Sequence, residues 1–380
     1  MPSSTIHGAL QGALTWGMHW GLGWLTTPST ATAAAFAVVT SILFYRARRH
    51  YLALPLLPRV APDKTPLDCM VVIPARNEQG VIGAAVRSFP PDTVIVVDDQ
   101  SADRTAEEAR EAGAGVLEAP PLIPGVLGKA NACMAGARIL TTRWILFADA
   151  DTRYEPDMLS SAVEFAEAGG MAFLSVQLEP QPECFAENFL EPYATALLFS
   201  GASLRQDPAA MFSGQCILAL RQAYEFVGGH AAVWRYLAED VKLALLAQRH
   251  RMGFAVVRSG TLGRVRSYDG WKSAWRGIER KAFRFLHMNA WIGLTVLLTA
   301  LCAALWLPLS LWLWFTGHRV TPAVILLLVF MQLRPWYGNG LRLLLAPLAV
   351  YAVLPILLHG AFSALADRHI EWKGRTVRAT

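Results

Sequence analysis

Hydrophobic and polar positions divide the chain into three stretches. Residues 1–45 carry no Asp, Glu, Lys or Arg, and residues 291–362 carry only Arg319, Arg334 and Arg342. Between these apolar ends, short hydrophobic runs alternate with amphipathic segments. Met70–Pro74, Thr93–Val97 and Trp144–Phe147 read as buried strands, and Val81–Ser88 and Arg104–Ala112 carry helical spacing. Strands alternating with helices predict an α/β domain with a mostly parallel sheet. In such sheets ligands sit beyond the carboxyl ends of the strands. Polar loops stand at those ends: Arg76-Asn77-Glu78, Asp98-Asp99 and Asp149-Ala150-Asp151.

The apolar ends read as membrane segments. Ala31–Tyr45 is uncharged and runs into Arg46, Arg48 and Arg49, a basic cluster that marks the cytoplasmic side. A bilayer needs ~20 residues, so this span is expected to start nearer Thr26. Upstream, Trp16, Trp20 and Trp24 recur at helical spacing, as an interfacial anchor or within a second span over Ile6–Leu25. A cleaved signal peptide is not expected, because no basic residues precede the apolar stretch. The C-terminal block predicts helices near 290–316, 320–333 and 343–362, the last two flanking a loop over Arg334–Arg342. One span before the middle domain and three after it would put the basic tail (Arg368, Lys373, Arg375, Arg378) on the opposite side, against the positive-inside rule. One piece is therefore expected to be re-entrant or interfacial.

Composition sharpens this division. Of 380 residues, 54% are hydrophobic and 17% charged, against ~25% charged in an ordinary soluble domain. That excludes a disordered chain, a coiled coil or a nucleic-acid tail protein. Residues 46–290 hold 27 basic and 27 acidic side chains, so the net +5 arises in the apolar block and the tail and indicates no nucleic-acid partner. Within the middle region, 249–284 carries ten Lys/Arg and two Asp/Glu, interleaved with Trp271, Trp275, Phe283 and Phe285. A basic, aromatic segment of this kind suits an interface helix against anionic headgroups. The five cysteines form no C-x-x-C pair, which fits a reduced compartment. The resulting organisation is an anchor over 1–48, an α/β domain over 66–265, an amphipathic interface helix over 266–288, transmembrane helices over 289–362 and a basic tail over 363–380.

Four motifs carry candidate chemistry. Asp149 and Asp151, one residue apart at a strand end, can both address a hard divalent ion such as Mg2+ or Mn2+. Asp99 follows another strand, where a carboxylate can accept hydrogen bonds from a ribose or base. In the same loop, Asp103 and Thr105 read as ordinary helix capping. Gly128-Lys129 suits a phosphate contact but lacks the remaining residues of a P-loop. In Glu239-Asp240 one carboxylate can act as a general base. Taken singly, each is also compatible with a solvated turn, a cap or a surface pair.

As an ordered set, Ile73-Pro74-Ala75-Arg76-Asn77-Glu78, Val97-Asp98-Asp99-Gln100-Ser101, Gly128-Lys129, Asp149-Ala150-Asp151 and Glu239-Asp240 resemble the inverting nucleotide-sugar glycosyltransferases of family 2, which have the GT-A fold. Phe185-Ala186-Glu187, Tyr268-Asp269-Gly270, Trp275-Arg276 with Arg280, and Trp372-Lys373-Gly374-Arg375 extend the likeness to membrane-bound bacterial members. Among these the chain is most similar to hopene-associated enzymes, and also to carotenoid and ceramide glucosyltransferases. The resemblance implies that Pro74, Ala75, Arg76, Asn77, Glu78 and Asp99 hold the base and ribose of a UDP-linked sugar, and that Lys129 lies near the diphosphate. Asp149 would contact ribose and metal, Asp151 the metal. Asp240 would deprotonate the acceptor hydroxyl, with Glu239, Trp275, Arg276 and Arg280 on the acceptor side. It implies a Mg2+ or Mn2+ cofactor, a membrane lipid acceptor, and a multi-pass inner-membrane protein whose catalytic domain is cytoplasmic. Processive relatives carry Q/R-x-x-R-W after the base. Here Gly277 and Lys281 stand at its first and last positions, which favours transfer of one sugar to a lipid over polysaccharide synthesis. A polyprenyl-phosphate transferase is the alternative acceptor class, and a non-catalytic membrane scaffold the alternative to an enzyme.

Overall fold

The computed structural model describes residues 28–61, 67–205, 211–288, 290–366, 370–372 and 375–377. The Trp16, Trp20 and Trp24 face and the possible span over Ile6–Leu25 lie outside the described residues. The chain enters through helix α1 (Pro28–Ala53), 26 residues long, or about 39 Å at 1.5 Å per residue. Arg46, Arg48 and Arg49 are its last turns rather than a loop beyond it.

The middle domain runs β1 (Cys69–Ala75), α2 (Ile82–Val86), β2 (Val94–Asp98), α3 (Thr105–Glu111), β3 (Gly115–Glu118), α4 (Gly128–Arg138), β4 (Trp144–Ala148), β5 (Thr152–Tyr154) and α5 (Met158–Ala168). It continues with β6 (Phe173–Gln177), β7 (Glu179–Pro180), α6 (Phe185–Arg205), β8 (Cys216–Leu220), α7 (Arg221–Phe226), α8 (Gly229–Val233), α9 (Glu239–Arg249), β9 (Phe254–Arg258) and β10 (Gly263–Val265). Seven strands form one sheet in the order β3-β2-β1-β4-β8-β6-β9. Only β8 runs antiparallel to its neighbours. The expected strands extend by one residue to Ala75, Asp98 and Ala148, so each ends directly at its polar loop.

Alternation along β1 sorts the core into two layers. Val71 and Ile73 pack with Ile82, Met158 and Leu174 on one face. Val72 joins Val97, Ile145, Phe147 and Ile217 beneath α4 and α9 on the other. A small sheet, β5-β10-β7, ties the chain after Asp151 to the approach to the next helix.

That helix is α10 (Trp271–Met288), followed by α11 (Ala290–Phe315), α12 (Val320–Tyr337), α13 (Leu341–Leu345), a 3-10 turn Ala346–Leu348, α14 (Ala349–Leu365), β11 (Ile370–Trp372) and β12 (Arg375–Val377). Among the described residues four helical stretches are long and apolar enough to cross a membrane: Thr30–Ala53, Ala290–Phe315, Val320–Tyr337 and Leu341–Leu365. The expected break at Arg334 falls later, because α12 runs on through Pro335. The turn is Gly338–Gly340, with both glycines at positive φ, 71° and 93°. The last span is locally tightened by the 3-10 turn around Pro347.

Helix α6 joins the two halves. Its Leu190, Tyr193 and Leu197 share a cluster with Ala33, Ala37 and Phe44 of α1 and with residues of α10, α11, α12 and α14. On α10, Ala274, Ile278 and Ala282 are buried while Trp271, Trp275 and Arg276 are exposed, a one-sided apolar stripe. Phe283, expected with the exposed aromatics, is instead in the core at 1% exposure. It follows Ala282 on the same buried stripe. The Phe285 side chain lies outside the described set.

The two departures from the processive motif have one structural cause. The Tyr268 ring lies against the α10 backbone, so a Cβ at Gly277 would collide with it. Lys281 passes over the same ring (5.5 Å to its centroid) and pairs with Glu191 of α6 at 2.7 Å. Gly277→Gln is therefore expected to lower the thermal unfolding midpoint in detergent, by overpacking worth about 1–3 kcal/mol. Adding Tyr268→Ala should recover part of that loss. Equal midpoints for parent and Gly277→Gln would refute the contact.

Candidate active site

The sequence places carboxylates and basic groups at strand ends, and the sheet lines those ends up along one edge. A cavity of about 1280 Å³ follows that edge. Pro74, Ala75, Arg76, Glu78, Asp99, Lys129, Asp149, Asp151, Glu239, Asp240, Arg276 and Arg280 all line it. Two expected residues do not. Asn77 sits at positive φ (53°), with its side-chain oxygen accepting from the Ala102 N–H at 2.9 Å. It shapes the loop beside the cavity. Trp275 stands on the outer face of α10, its ring 6.4 Å from His359.

At the β1–β2 end, the Asp99 N–H donates to the Ala75 carbonyl at 2.8 Å. Arg76 Nη1 donates to the carbonyls of Asp99 and Gln100 at 2.5 and 3.0 Å. Asp103 accepts from the backbone N–H groups of Thr105 and Gln79. The N-cap position of α3 falls on Arg104, which makes no side-chain cap bond, so Asp103 stands one residue before the cap and ties the loop after β1 to the start of the helix.

Lys129 is the electrostatic centre. Its Nζ lies 2.7 Å from Asp149 Oδ1 and 3.5 Å from Glu239 Oε1, and donates to the Gly214 carbonyl at 3.0 Å. Burial alone would lower the ammonium, but Asp149 and Glu239 outweigh it and hold it above the ordinary lysine value. Asp240 is fully buried. Its Oδ2 accepts from the Gly214 N–H and its Oδ1 from the Val241 N–H, both at 2.7 Å. Gly214 is thus held through its N–H by the base candidate and through its carbonyl by Lys129. An added Cβ there would meet Lys129 Nζ at 3.0 Å and Asp240 Oδ2 at 3.2 Å. Sequence reading missed this glycine, whose only signal is its position just before β8.

Asp149 and Asp151 leave β4 together, and the Thr152 hydroxyl donates to the Asp149 carbonyl at 2.6 Å. Arg280 approaches from α10. Burial lowers its guanidinium, opposed by Tyr268, Asp151 and Asp149. Among the described residues no three His, Cys, Asp or Glu side chains could hold an ion by themselves. Two carboxylates at a strand end suit an ion that completes its shell with phosphate oxygens and water, as Mg2+ and Mn2+ do. Glu187, fully buried, accepts from the Ser267 and Tyr268 N–H groups at 2.7 and 3.3 Å and so fixes the approach to α10.

Behind the site, His230 is buried, its Nδ1 2.8 Å from the Tyr224 hydroxyl. Burial, and next the Lys129 charge, pull the imidazole down to about 3 from 6.5. The neutral ring's contribution to stability is present above pH 6.5 and is lost progressively as pH falls toward 3, because the unfolded chain takes up the proton first. Between pH 8 and 5 this amounts to about 2 kcal/mol. Thermal unfolding of His230→Gln should show a correspondingly weaker pH dependence over that range than the parent. An unchanged dependence would exclude the histidine.

Residues 70–228 match the family model described as Glycosyl transferase family 2. The 4,4'-diaponeurosporenoate glycosyltransferase of Staphylococcus aureus (strain USA300) is 26% identical over 332 residues, spanning 80% of this chain and 87% of that protein. The protein of the same name from a bovine strain is 31% identical over 185 residues, covering 46% and 49%. Among solved structures, a mannosyltransferase of Pyrobaculum calidifontis in complex with GDP-Man and Mn2+ superposes with a TM-score of 0.52 at 19% identity, over 89% of this chain and 99% of that one. At that identity the likeness is one of fold. Residues 70–228 are therefore a Glycosyl transferase family 2 domain on the GT-A fold, supplying the nucleotide-side wall of the cavity, and the protein is a glycosyltransferase.

Proposed function

We propose that this enzyme transfers a sugar from a UDP-linked donor to an isoprenoid membrane lipid of the hopanoid or carotenoid kind, with inversion at the anomeric carbon. One observation carries this reading. The cavity that begins at the nucleotide-type loops of β1, β2 and β4 also reaches Arg48 and Tyr51 of α1 and Pro335, Trp336 and Tyr337 of α12, helices apolar enough to span a bilayer. A polar donor and a membrane-borne acceptor can therefore meet in one space. The named acceptor of the Staphylococcus aureus relatives supports an isoprenoid-type lipid, and the Gly277–Tyr268–Lys281 packing argues against the processive alternative.

Pro74, Ala75, Arg76, Glu78 and Asp99 bind the base and ribose, with Asn77 shaping their loop. Lys129 faces the diphosphate, and Arg280, expected on the acceptor side, is close enough to Asp149 and Asp151 to face it too. Asp149 and Asp151 would hold Mg2+ or Mn2+, which when bound supplies positive charge to the departing diphosphate. Asp240 takes the proton from the acceptor hydroxyl as its oxygen bonds to the anomeric carbon and the bond to the diphosphate breaks. Glu239 positions Lys129, Arg276 faces the acceptor, and Trp275 anchors α10 at the bilayer surface. The domain then works on the cytoplasmic face of a cell inner membrane, consistent with the arginines at the end of α1.

Purified protein in detergent, given a panel of nucleotide sugars, Mn2+ or Mg2+ and total bacterial lipid, should release nucleoside diphosphate from one donor in a lipid-stimulated manner. Mass spectrometry of the lipid should find one added hexose. Release that lipid does not stimulate, with only free sugar formed, would overturn the lipid-acceptor reading.

A further inference from the structure

At its membrane end the cavity meets a group of side chains the mechanism does not use. Arg48 of α1 and Arg258 at the end of β9 both lie over the Tyr51 ring, 5.3 and 5.2 Å from its centroid. Arg48 also lies 5.4 Å from the Trp336 ring. Tyr51, Phe199 and Trp336 pack against one another at 5.2–6.3 Å between centroids. Arg342 faces the same space. Backbone bonds make the rim rigid: the chain after α1 pairs with the edge strand through Arg258 N–H to Pro55 O (2.8 Å) and Leu57 N–H to Arg258 O (2.9 Å).

Among the described residues the charges here do not balance: neither Arg48 nor Arg258 makes an ion pair with a carboxylate. A carboxylate beside them, Glu179, accepts the Tyr51 hydroxyl at 3.1 Å, and Arg258 Nε donates to the Leu54 carbonyl at 3.3 Å. The Trp336 indole N–H is buried with no hydrogen-bond partner among the described residues, a donor left unsatisfied at the cost such groups carry. Two half-buried guanidiniums stand against one ring and give this rim an excess of positive charge among the described residues. Planar guanidinium forks match carboxylate and phosphate oxygens.

We propose that this end of the cavity is an oxyanion site, where Arg48 and Arg258 recognise a carboxylate or phosphate at the polar end of the isoprenoid acceptor. Tyr51, Phe199 and Trp336 wall the chain that follows. The source of the oxyanion rests on the lipid-acceptor reading above; the site itself does not. Position supports it. β9 is three strands from β4 in the sheet, about 14 Å at ordinary strand spacing. That leaves room for a hexose and an acceptor head between the metal carboxylates and the arginines.

The test is equilibrium binding to the full chain in phosphatidylcholine nanodiscs, using labelled geranylgeranyl phosphate, geranylgeranoic acid and geranylgeraniol. Both anions should bind at least about tenfold tighter than the alcohol, the effect of one or more charge-assisted hydrogen bonds. Arg48→Gln with Arg258→Gln should erase that preference, and the two lysine substitutions should restore part of it. UDP binding on the same discs reports an intact fold. Should the double variant not fold, Trp336→Phe removes the N–H along with part of the ring; the lost bulk affects all three ligands, and the lost donor should weaken the anions several-fold more than the alcohol. Equal binding of the three ligands would overturn the proposal, as would a preference that survives the double variant. Displacement of the anions when phosphatidylglycerol replaces roughly a third of the lipid would assign the site to bilayer headgroups and overturn acceptor recognition. Selective anion binding with no sugar transferred to any lipid would leave the oxyanion site standing and overturn the transfer reading. Lipid glycosylation without anion preference would do the reverse.

Discussion

Asp240→Asn is expected to slow sugar transfer by about 10²- to 10⁴-fold, the usual worth of a general base, with little change in donor affinity. The carboxamide oxygen can still accept the Gly214 N–H that Asp240 Oδ2 accepts at 2.7 Å, so the loop before β8 should keep its place. What is lost is the second oxygen's capacity to take a proton, together with the bond it accepts from the Val241 N–H at 2.7 Å, so the thermal unfolding midpoint is read alongside the rate. Single-turnover transfer rates together with UDP binding separate the two effects. Glu239→Gln provides the control within the same dipeptide: it weakens the hold on Lys129, 3.5 Å away, and should act mainly on donor affinity. A larger rate loss for Glu239→Gln than for Asp240→Asn would move the base to Glu239.

Lys129→Met should cost both stability and donor binding. The side chain is 20% exposed and lies between Asp149 and Glu239. Removing it leaves two partly buried carboxylates facing each other, and breaking such a pairing costs about 3 kcal/mol. The thermal unfolding midpoint should fall. Mn2+ should raise the variant's midpoint more than the parent's, because Asp149 no longer has a cationic partner competing for its oxygen. A midpoint equal to the parent's, or no greater response to Mn2+, would show that Lys129 is not the counter-charge. Donor affinity should drop as well, since the proposed contact between the ammonium and the diphosphate is removed.

Much of this site was legible before any folding was considered. Val71, Ile73, Val96, Val97, Ile145 and Phe147 form short buried runs, and a buried parallel strand shows itself as such a run because both its faces are covered. The polar loop after each run then marks the ligand edge. Asp99, Asp149 and Asp151 stand out in this way and Lys129 by the Gly128-Lys129 pair, and all four line one cavity. The antiparallel β8 was not legible. Cys216–Leu220 is as apolar as its parallel neighbours, and strand direction leaves no mark in composition. Gly214 was missed with it, since its role lies in two backbone bonds to residues far away in sequence.

The sequence by itself determined the α/β domain, its ligand edge, the apolar helices at both ends and the order of the charged motifs. Each of these depends on local burial or local periodicity, which one-dimensional patterning records. Only the tertiary structure decided that Asn77 and Trp275 stand off the cavity and that Phe283 joins the core. It alone brought Arg48, Tyr51, Arg258 and Trp336 together at the membrane end. These outcomes depend on which face of one element meets another across long separations. That choice is made by packing and charge between distant segments, not by the neighbours of a residue along the chain.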